Sequence, residues 1–212
     1  MTRRRGQWRF QRLLEGMKGH HKSAVSFMLY FRFALALIFL FSQAHFLYGE
    51  EALLTSFGKG EVKVVIYTDY FCPPCRAMEP QIEPILIDLM KKDRIQLTFV
   101  DTPIYRHSPL YARYFLYSLK LKKDFHHALW VRNTLFAAAE QQILEKKKLE
   151  DFLHQKGVSF LPSDISSVLE AWNRMLNDDR IDSTPTLVIR QGVKKEVFKG
   201  SSDILKALSE LR

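Results

Sequence analysis

The chain is 212 residues long, 47% hydrophobic and 26% charged, with a formal net charge of +9 and two cysteines. That length suits one domain able to bury its own core, and two cysteines cannot build a disulfide framework. Residues 1–44 hold eight Lys/Arg against the single acid Glu15, a net +7, while the other 168 residues carry +2, so the basic balance is local and gives no support to a nucleic-acid partner.

The basic residues Arg3, Arg4, Arg5, Arg9, Arg12, Lys18, Lys22 and Arg32 precede nine uncharged apolar residues, Phe33-Ala34-Leu35-Ala36-Leu37-Ile38-Phe39-Leu40-Phe41. Ser42-Gln43-Ala44 follows, with small residues where a signal peptidase reads. This is the order of an export signal over residues 1–44, with cleavage after Ala44. Nine residues are too few for a helix across a bilayer, which needs about 20. The alternative is an uncleaved anchor over residues 25–48, which would have to carry Arg32, Gln43 and His45. The basic region is long for a signal, and Met28 offers a more ordinary start. Arg3-Arg4-Arg5 invites a twin-arginine reading, which so apolar a core argues against. Export would put residues 45–212 in a periplasmic or other extracytoplasmic compartment, where disulfides form and persist.

Residues 50–60 are a short lead-in that ends in the Gly58-Lys59-Gly60 turn. Val62-Lys63-Val64-Val65-Ile66-Tyr67 is β-branched and apolar enough for a buried strand. Cys72-Pro73-Pro74-Cys75 follows, and Arg76-Ala77-Met78-Glu79 opens a helix predicted to reach about Lys92, kinked at Pro80 and Pro84. Residues 95–100 form a second strand. From residue 108 to about 176 the apolar spacing is helical, over 110–121, 125–139, 143–153 and 163–176, the last with Ser163 as its N-cap. Tyr111, Tyr114, Phe115, Tyr117 and Trp130 fall at helical spacing and are expected in the core. Residues 186–190, the Gln191-Gly192 turn and residues 196–198 read as a hairpin, and Ser201 or Ser202 can cap a closing helix over 203–211.

Two thiols two residues apart can close a small disulfide ring and reopen it. With no other thiol in the chain, the pair serves dithiol redox chemistry, half of a metal site, or an incidental structural role. Its place between a strand and a helix sets Cys72 beside unpaired N–H groups and the positive end of the helix dipole, which favours the thiolate. Proline suits the first helical turn, so the Pro73-Pro74 spacer fits there. Neither proline has an N–H, so stabilisation of a Cys72 thiolate must come chiefly from Cys75 and beyond. Zinc would need two further ligands. His107, His126 and His127 are the nearest candidates, none at convincing spacing, and solvated or core roles suit them better; no metal is expected.

Strand, helix, strand, helical block, hairpin, helix is the thioredoxin order with a helical insert. The segment VVIYTDYFCPPC, Pro80 five residues beyond Cys75, and Ser183-Thr184-Pro185-Thr186 before a strand resemble the DsbA-like branch of the thiol-disulfide oxidoreductases. The likeness covers nearly all of residues 45–212. It implies an α/β thioredoxin fold with a helical subdomain inserted at about 105–180. It implies that Cys72 is the exposed nucleophile and that Cys75, more buried, resolves a mixed disulfide with a partner protein. A cis Thr184-Pro185 bond opposite the cysteines is implied too, whereas an X-Pro bond taken by itself is expected trans. Thr184 would then offer its backbone to an extended substrate, and its hydroxyl could tune the thiols. Asp69 matches an aspartate common in these relatives; a turn residue capping the helix start is an equal reading.

The sequence departs from the pattern at Ile66, where relatives often carry a buried acid able to take a proton from the resolving thiol. Proton transfer must then use water, Asp69 or another group, since Lys63 and Glu61 would face differently. Tyr67, Tyr70 and Phe71 are candidates for an apolar lip around Cys72, with Tyr67 equally suited to the core. The resemblance implies an exported thiol-disulfide oxidoreductase acting on protein substrates, with disulfide formation the leading direction; the lack of N–H groups in Pro73-Pro74 points to a potential less extreme than that of the strongest oxidants. A reductase or isomerase, kept reduced by a membrane electron donor, would run the same chemistry in reverse. A chaperone or binding module would keep the fold without needing Cys72, and an anchored membrane-surface protein would need residues 25–48 uncleaved. No metal, nucleotide or organic cofactor is implied, but a membrane or soluble redox partner is. Only about 17 residues separate Ala44 from Val62, too few for the dimerisation segment of related isomerases, so a monomer is expected.

Overall fold

The structure, a computed structural model, describes residues 54–212. The expected signal or anchor and its cleavage point lie outside the described residues. Five strands form one sheet in the order β1-β3-β2-β4-β5. They are β1 (Ser56–Phe57), β2 (Val62–Thr68), β3 (Ile95–Asp101), β4 (Thr186–Gln191) and β5 (Lys194–Lys199). The helices are α1 (Pro73–Lys91), α2 (Ser108–Leu121), α3 (Phe125–Glu140), α4 (Lys146–Gln155), α5 (Ser166–Asp179) and α6 (Ser201–Glu210). β2 and β3 run parallel, connected through α1, with Val62 opposite Ile95 and Thr68 opposite Asp101. β4 returns antiparallel to β2 and forms a hairpin with β5. This is the α/β thioredoxin architecture, with α2 to α5 between β3 and β4.

β2 is central because Val64, Val65, Ile66 and Tyr67 are all buried, as are Leu97, Phe99, Leu187 and Val188 on its neighbours. A strand covered on both faces reads as a continuous apolar run rather than an alternating one. α1 buries Cys75, Met78, Glu79, Ile82, Ile85, Leu86 and Leu89, the spacing of a single helical face. Pro80 and Pro84 stand on its exposed side, and α1 runs unbroken through both rather than ending at either. A carbonyl that loses its helical donor on that side can turn to water. α6 packs on α1 and β5, and α3 packs on α1, α2 and α4.

Several local expectations are corrected. α5 starts at Ser166, not Ser163, because Ser163 Oγ donates to the Leu161 carbonyl and Asp164 Oδ1 instead accepts from the Ser166 N–H at 2.9 Å. Neither Ser201 nor Ser202 caps α6; Gly200 takes that place, and Ser201 Oγ reaches the Pro74 carbonyl at 3.1 Å. Tyr111, Tyr114 and Phe115 are core, but Trp130 is 42% exposed and lies against Gly157. Among the described residues no helix is long and apolar enough to cross a membrane.

Gly60 marks the tightest approach of two backbones. Its N–H donates to the Ile95 carbonyl at 3.2 Å, and a Cβ at that position would lie 2.2 Å from the carbonyl carbon of Arg94 and from the Ile95 nitrogen. Since those atoms are backbone at the start of β3, Gly60→Ala is expected to cost about 2 kcal/mol, within the range of overpacked sites. Urea denaturation of the two proteins side by side measures it.

Candidate active site

Cys72 is the N-cap of α1, with extended backbone (φ −76°, ψ 114°), and its sulfur occupies the place where a cap usually offers oxygen. Pro73 and Pro74 fill the first two helical positions, so the first backbone donor available is Cys75, whose N–H lies 3.4 Å from Cys72 Sγ. The Cys75 thiol also donates to Cys72 Sγ, at 2.7 Å. Across the turn, Cys72 Sγ lies 3.4 Å from the Thr184 carbonyl oxygen, and the Thr184-Pro185 bond is cis. The structure thus gathers Cys72, Cys75, Pro73, Pro74, Thr184 and Pro185 at the carboxyl end of β2.

The two thiols have opposite tendencies. The hydrogen bond from Cys75 is the main influence bringing Cys72 down from 9.0 to about 6, assisted by Thr184 and by the Cys75 N–H and opposed by burial. Cys75 is pushed well above the ordinary thiol range, first because its proton is held on Cys72 and then because it is fully buried. One sulfur is set up as thiolate and the other as thiol. Cys72 is itself only 3% exposed, a correction to the exposed nucleophile that the resemblance implied. Packing within the core cluster, with the Thr184 carbonyl across the sulfur, leaves little of it open.

Asp69 is buried and does not cap α1. Its Oδ1 accepts from the Phe71 N–H at 2.8 Å and from Ser108 Oγ at 2.7 Å, while Oδ2 accepts from the N–H groups of Ile104 and Tyr105 at 2.7 and 3.4 Å. Its backbone carbonyl accepts from the Cys72 N–H at 3.1 Å. It therefore ties the loop after β3 to the turn before the nucleophile. Of the expected apolar lip, Tyr67 and Tyr70 are buried, and only Phe71 stays partly open, packed edge-on to Tyr111 with ring centres 4.8 Å apart. His127 meets Ser118 Oγ at 3.0 Å. Among the described residues no group of His, Cys, Asp and Glu is placed to hold a metal.

Sequence reasoning missed a charged cluster behind the turn. Arg132 of α3 is fully buried and bonds both oxygens of Glu79, together with Asp101 and Thr68. Tyr70 donates to Asp101 at 3.0 Å. The available signal was Glu79 interrupting the apolar stripe of α1, and Arg132 lying between apolar neighbours in α3. Burial pushes Asp101 up to about 7 despite the pull of Arg132.

Two measurements follow from these shifts. In the reduced protein, iodoacetamide should modify Cys72 with a midpoint near pH 6 and spare Cys75, as mass mapping against pH would show. Asp101 keeps its proton in the folded chain to about pH 7 but loses it near its ordinary value of 3.8 when unfolded. Its contribution to stability is therefore present at low pH and lost as pH rises between those values. Asp101→Asn should remove that part of the decline in a denaturation series across the same window.

The comparisons agree with this geometry. The thioredoxin family model matches residues 58–207. A periplasmic thioredoxin-like protein from Salmonella enterica serovar Typhimurium is 20% identical, with a TM-score of 0.55 over 73% of this chain and 87% of its own. Proteus mirabilis ScsC is 21% identical, with a TM-score of 0.59 over 81% and 76%. Wolbachia pipientis alpha-DsbA1 is 11% identical, with a TM-score of 0.58 over 74% and 89%. No curated protein sequence gives a significant match. With the family match spanning β2 to β5, the cysteine turn and the insert, the chain belongs to the thioredoxin family, and its fold is similar to that of these structures.

Proposed function

We propose that the chain is an exported protein thiol-disulfide oxidoreductase whose leading role is disulfide formation. The observation that carries the reading is the pairing of a thiolate-favouring Cys72 with a thiol-favouring Cys75 at 2.7 Å, beside the Thr184 carbonyl. In the oxidised form, a substrate thiolate attacks Cys72 Sγ; the Cys72–Cys75 bond breaks, and Cys75 leaves with the electron pair and takes up a proton. A second substrate thiolate then attacks the substrate sulfur of the mixed disulfide, and Cys72 leaves as the thiolate. The substrate has lost two electrons and the protein holds them as a dithiol, which a membrane or soluble redox partner must oxidise again. A low-pKa leaving group speeds the second step and stabilises the reduced enzyme, which favours donation of disulfides. In reverse, the Cys72 thiolate attacks a substrate disulfide and Cys75 resolves it.

Protein rather than small-molecule substrates are supported by Ile104 and Tyr105, which are 57% and 45% exposed on the loop that Asp69 fastens to the nucleophile's turn. The Thr184 backbone beside the cis-proline offers an extended segment a place to lie. A leader of signal type and the likeness to a periplasmic protein support an extracytoplasmic location. The lysines Lys194, Lys195 and Lys199 on edge strand β5 discourage strand pairing between copies, which supports a monomer. The chemistry needs no metal or organic cofactor.

Equilibration of residues 45–212 with glutathione buffers tests the direction. A potential near about −120 mV is the range of a strong oxidant, and one near about −270 mV would reverse the assignment to a reductase. The Pro73-Pro74 spacer, which removes two backbone donors from the Cys72 sulfur, is expected to hold the value short of the oxidising extreme. Cys72→Ser should abolish exchange, and Cys75→Ser should accumulate mixed disulfides with protein substrates; full activity in Cys72→Ser would leave only a chaperone or binding role.

A further inference from the structure

Burying a guanidinium is costly unless each of its donors is met. Arg132 is fully buried, and its bonds are specific in direction. Nε and Nη2 donate to the two carboxylate oxygens of Glu79 at 2.7 and 3.0 Å. The same Nη2 donates to Thr68 Oγ1 at 2.9 Å, and Nη1 to Asp101 Oδ1 at 3.3 Å. The guanidinium carbon lies 4.2 Å from the centre of the Phe99 ring.

The placement of these partners along the chain matters most. Thr68 is the last residue of β2, four before Cys72, and Glu79 lies on α1, four after Cys75. A single nitrogen, Nη2, therefore bonds to both limbs that flank the cysteine turn. Asp101 is paired with Thr68 across the sheet, and its other oxygen accepts from Tyr70, two residues before Cys72. The tie comes from α3, outside the strand–turn–helix unit that it closes.

What such a tie controls is the approach of Cys75 to Cys72. The hydrogen bond between the two sulfurs is the largest influence on Cys72, and the Cys75 N–H adds to it. Both depend on the position of the first turn of α1 relative to the end of β2. A buried ion pair contributes little net stability compared with well-packed apolar residues. Apolar residues at 79 and 132 could fill the same space, but they could not bridge Thr68 to α1.

We propose that Arg132 is a positioning residue for the dithiol, stapling the end of β2 to the second turn of α1 so that Cys75 is held against the Cys72 sulfur. The inference rests on the dithiol reading of the site. Its main test is the double variant Arg132→Met with Glu79→Met, since replacing a buried pair with apolar residues of similar volume is often neutral for stability. Thiolate absorbance of the reduced protein against pH should show the Cys72 midpoint raised by about one pH unit, with the glutathione equilibrium moved toward the disulfide form of the protein, by about tenfold at a pH well above both midpoints. Arg132→Lys, which keeps the charge but not the fork, should show a smaller shift in the same direction. Gly60→Ala serves as the destabilised control and should leave the midpoint in place.

A folded double variant with the wild-type midpoint and equilibrium would overturn the proposal, as would an equal shift in Gly60→Ala. If the double variant does not fold, Arg132→Lys decides, and an unmoved midpoint there rejects the staple. If the wild-type protein shows no low thiol titration and forms no internal disulfide, the dithiol reading falls and the staple with it. That result is distinct from a wild type that titrates beside variants that do not shift.

Discussion

A helix N-cap ordinarily presents an oxygen to the unpaired N–H groups of the first turn, and in this chain the capping atom is the sulfur of Cys72. Two prolines follow, and they remove the nearer backbone donors. The sulfur then draws most of its stabilisation from Cys75, through its N–H at 3.4 Å and its thiol at 2.7 Å, with a smaller share from Thr184. The division of the pair into thiolate and thiol is therefore a question of position. Whatever fixes α1 against β2 acts on the chemistry: the buried stripe of α1, the Ser201 bond to Pro74, and the cluster around Arg132 all bear on the same short distance.

Asp69 does for the loops what the cap does for the helix. Its four accepted hydrogen bonds join the Phe71 backbone, the loop carrying Ile104 and Tyr105, and the first residue of α2. A buried carboxylate needs such partners, because an ion left unpaired away from water is costly. With its oxygens so engaged, Asp69 holds the loop after β3 against the turn before Cys72. The other buried carboxylates near the turn, Glu79 and Asp101, are both bonded to Arg132.

Much of this was legible in the sequence because it is local. The β-branched run before Cys72, the proline spacer and the apolar spacing of the insert each depend on neighbours along the chain, and β2 to β5, α1 and the helical block follow from them, whereas β1 lies in what reads as a lead-in. The cis proline was legible only through resemblance, since nothing in Ser183-Thr184-Pro185-Thr186 by itself favours cis. Helix starts were missed where side chains had competing partners, as with Ser163 and Ser201. The burial of Cys72 was missed because exposure depends on how the Thr184 loop closes over the turn, about 110 residues away.

The Arg132 cluster was hidden for a different reason. Periodicity sorts residues into apolar and polar faces, so a charged residue on an apolar face reads as noise until its partner is found. Glu79 and Arg132 are 53 residues apart, and each alone looks like a defect in its helix. Together they satisfy one another, and the second edge of the guanidinium is free to reach Thr68 and Asp101 at the ends of two strands. Packing alone would be served by a pair of apolar side chains, which would avoid desolvating two charges. Directional bonds add something packing lacks: they fix one element relative to another at named atoms. In a dithiol whose reactivity depends on a contact between two sulfurs, that distinction makes the helical insert part of the active site's support rather than an appendage to it.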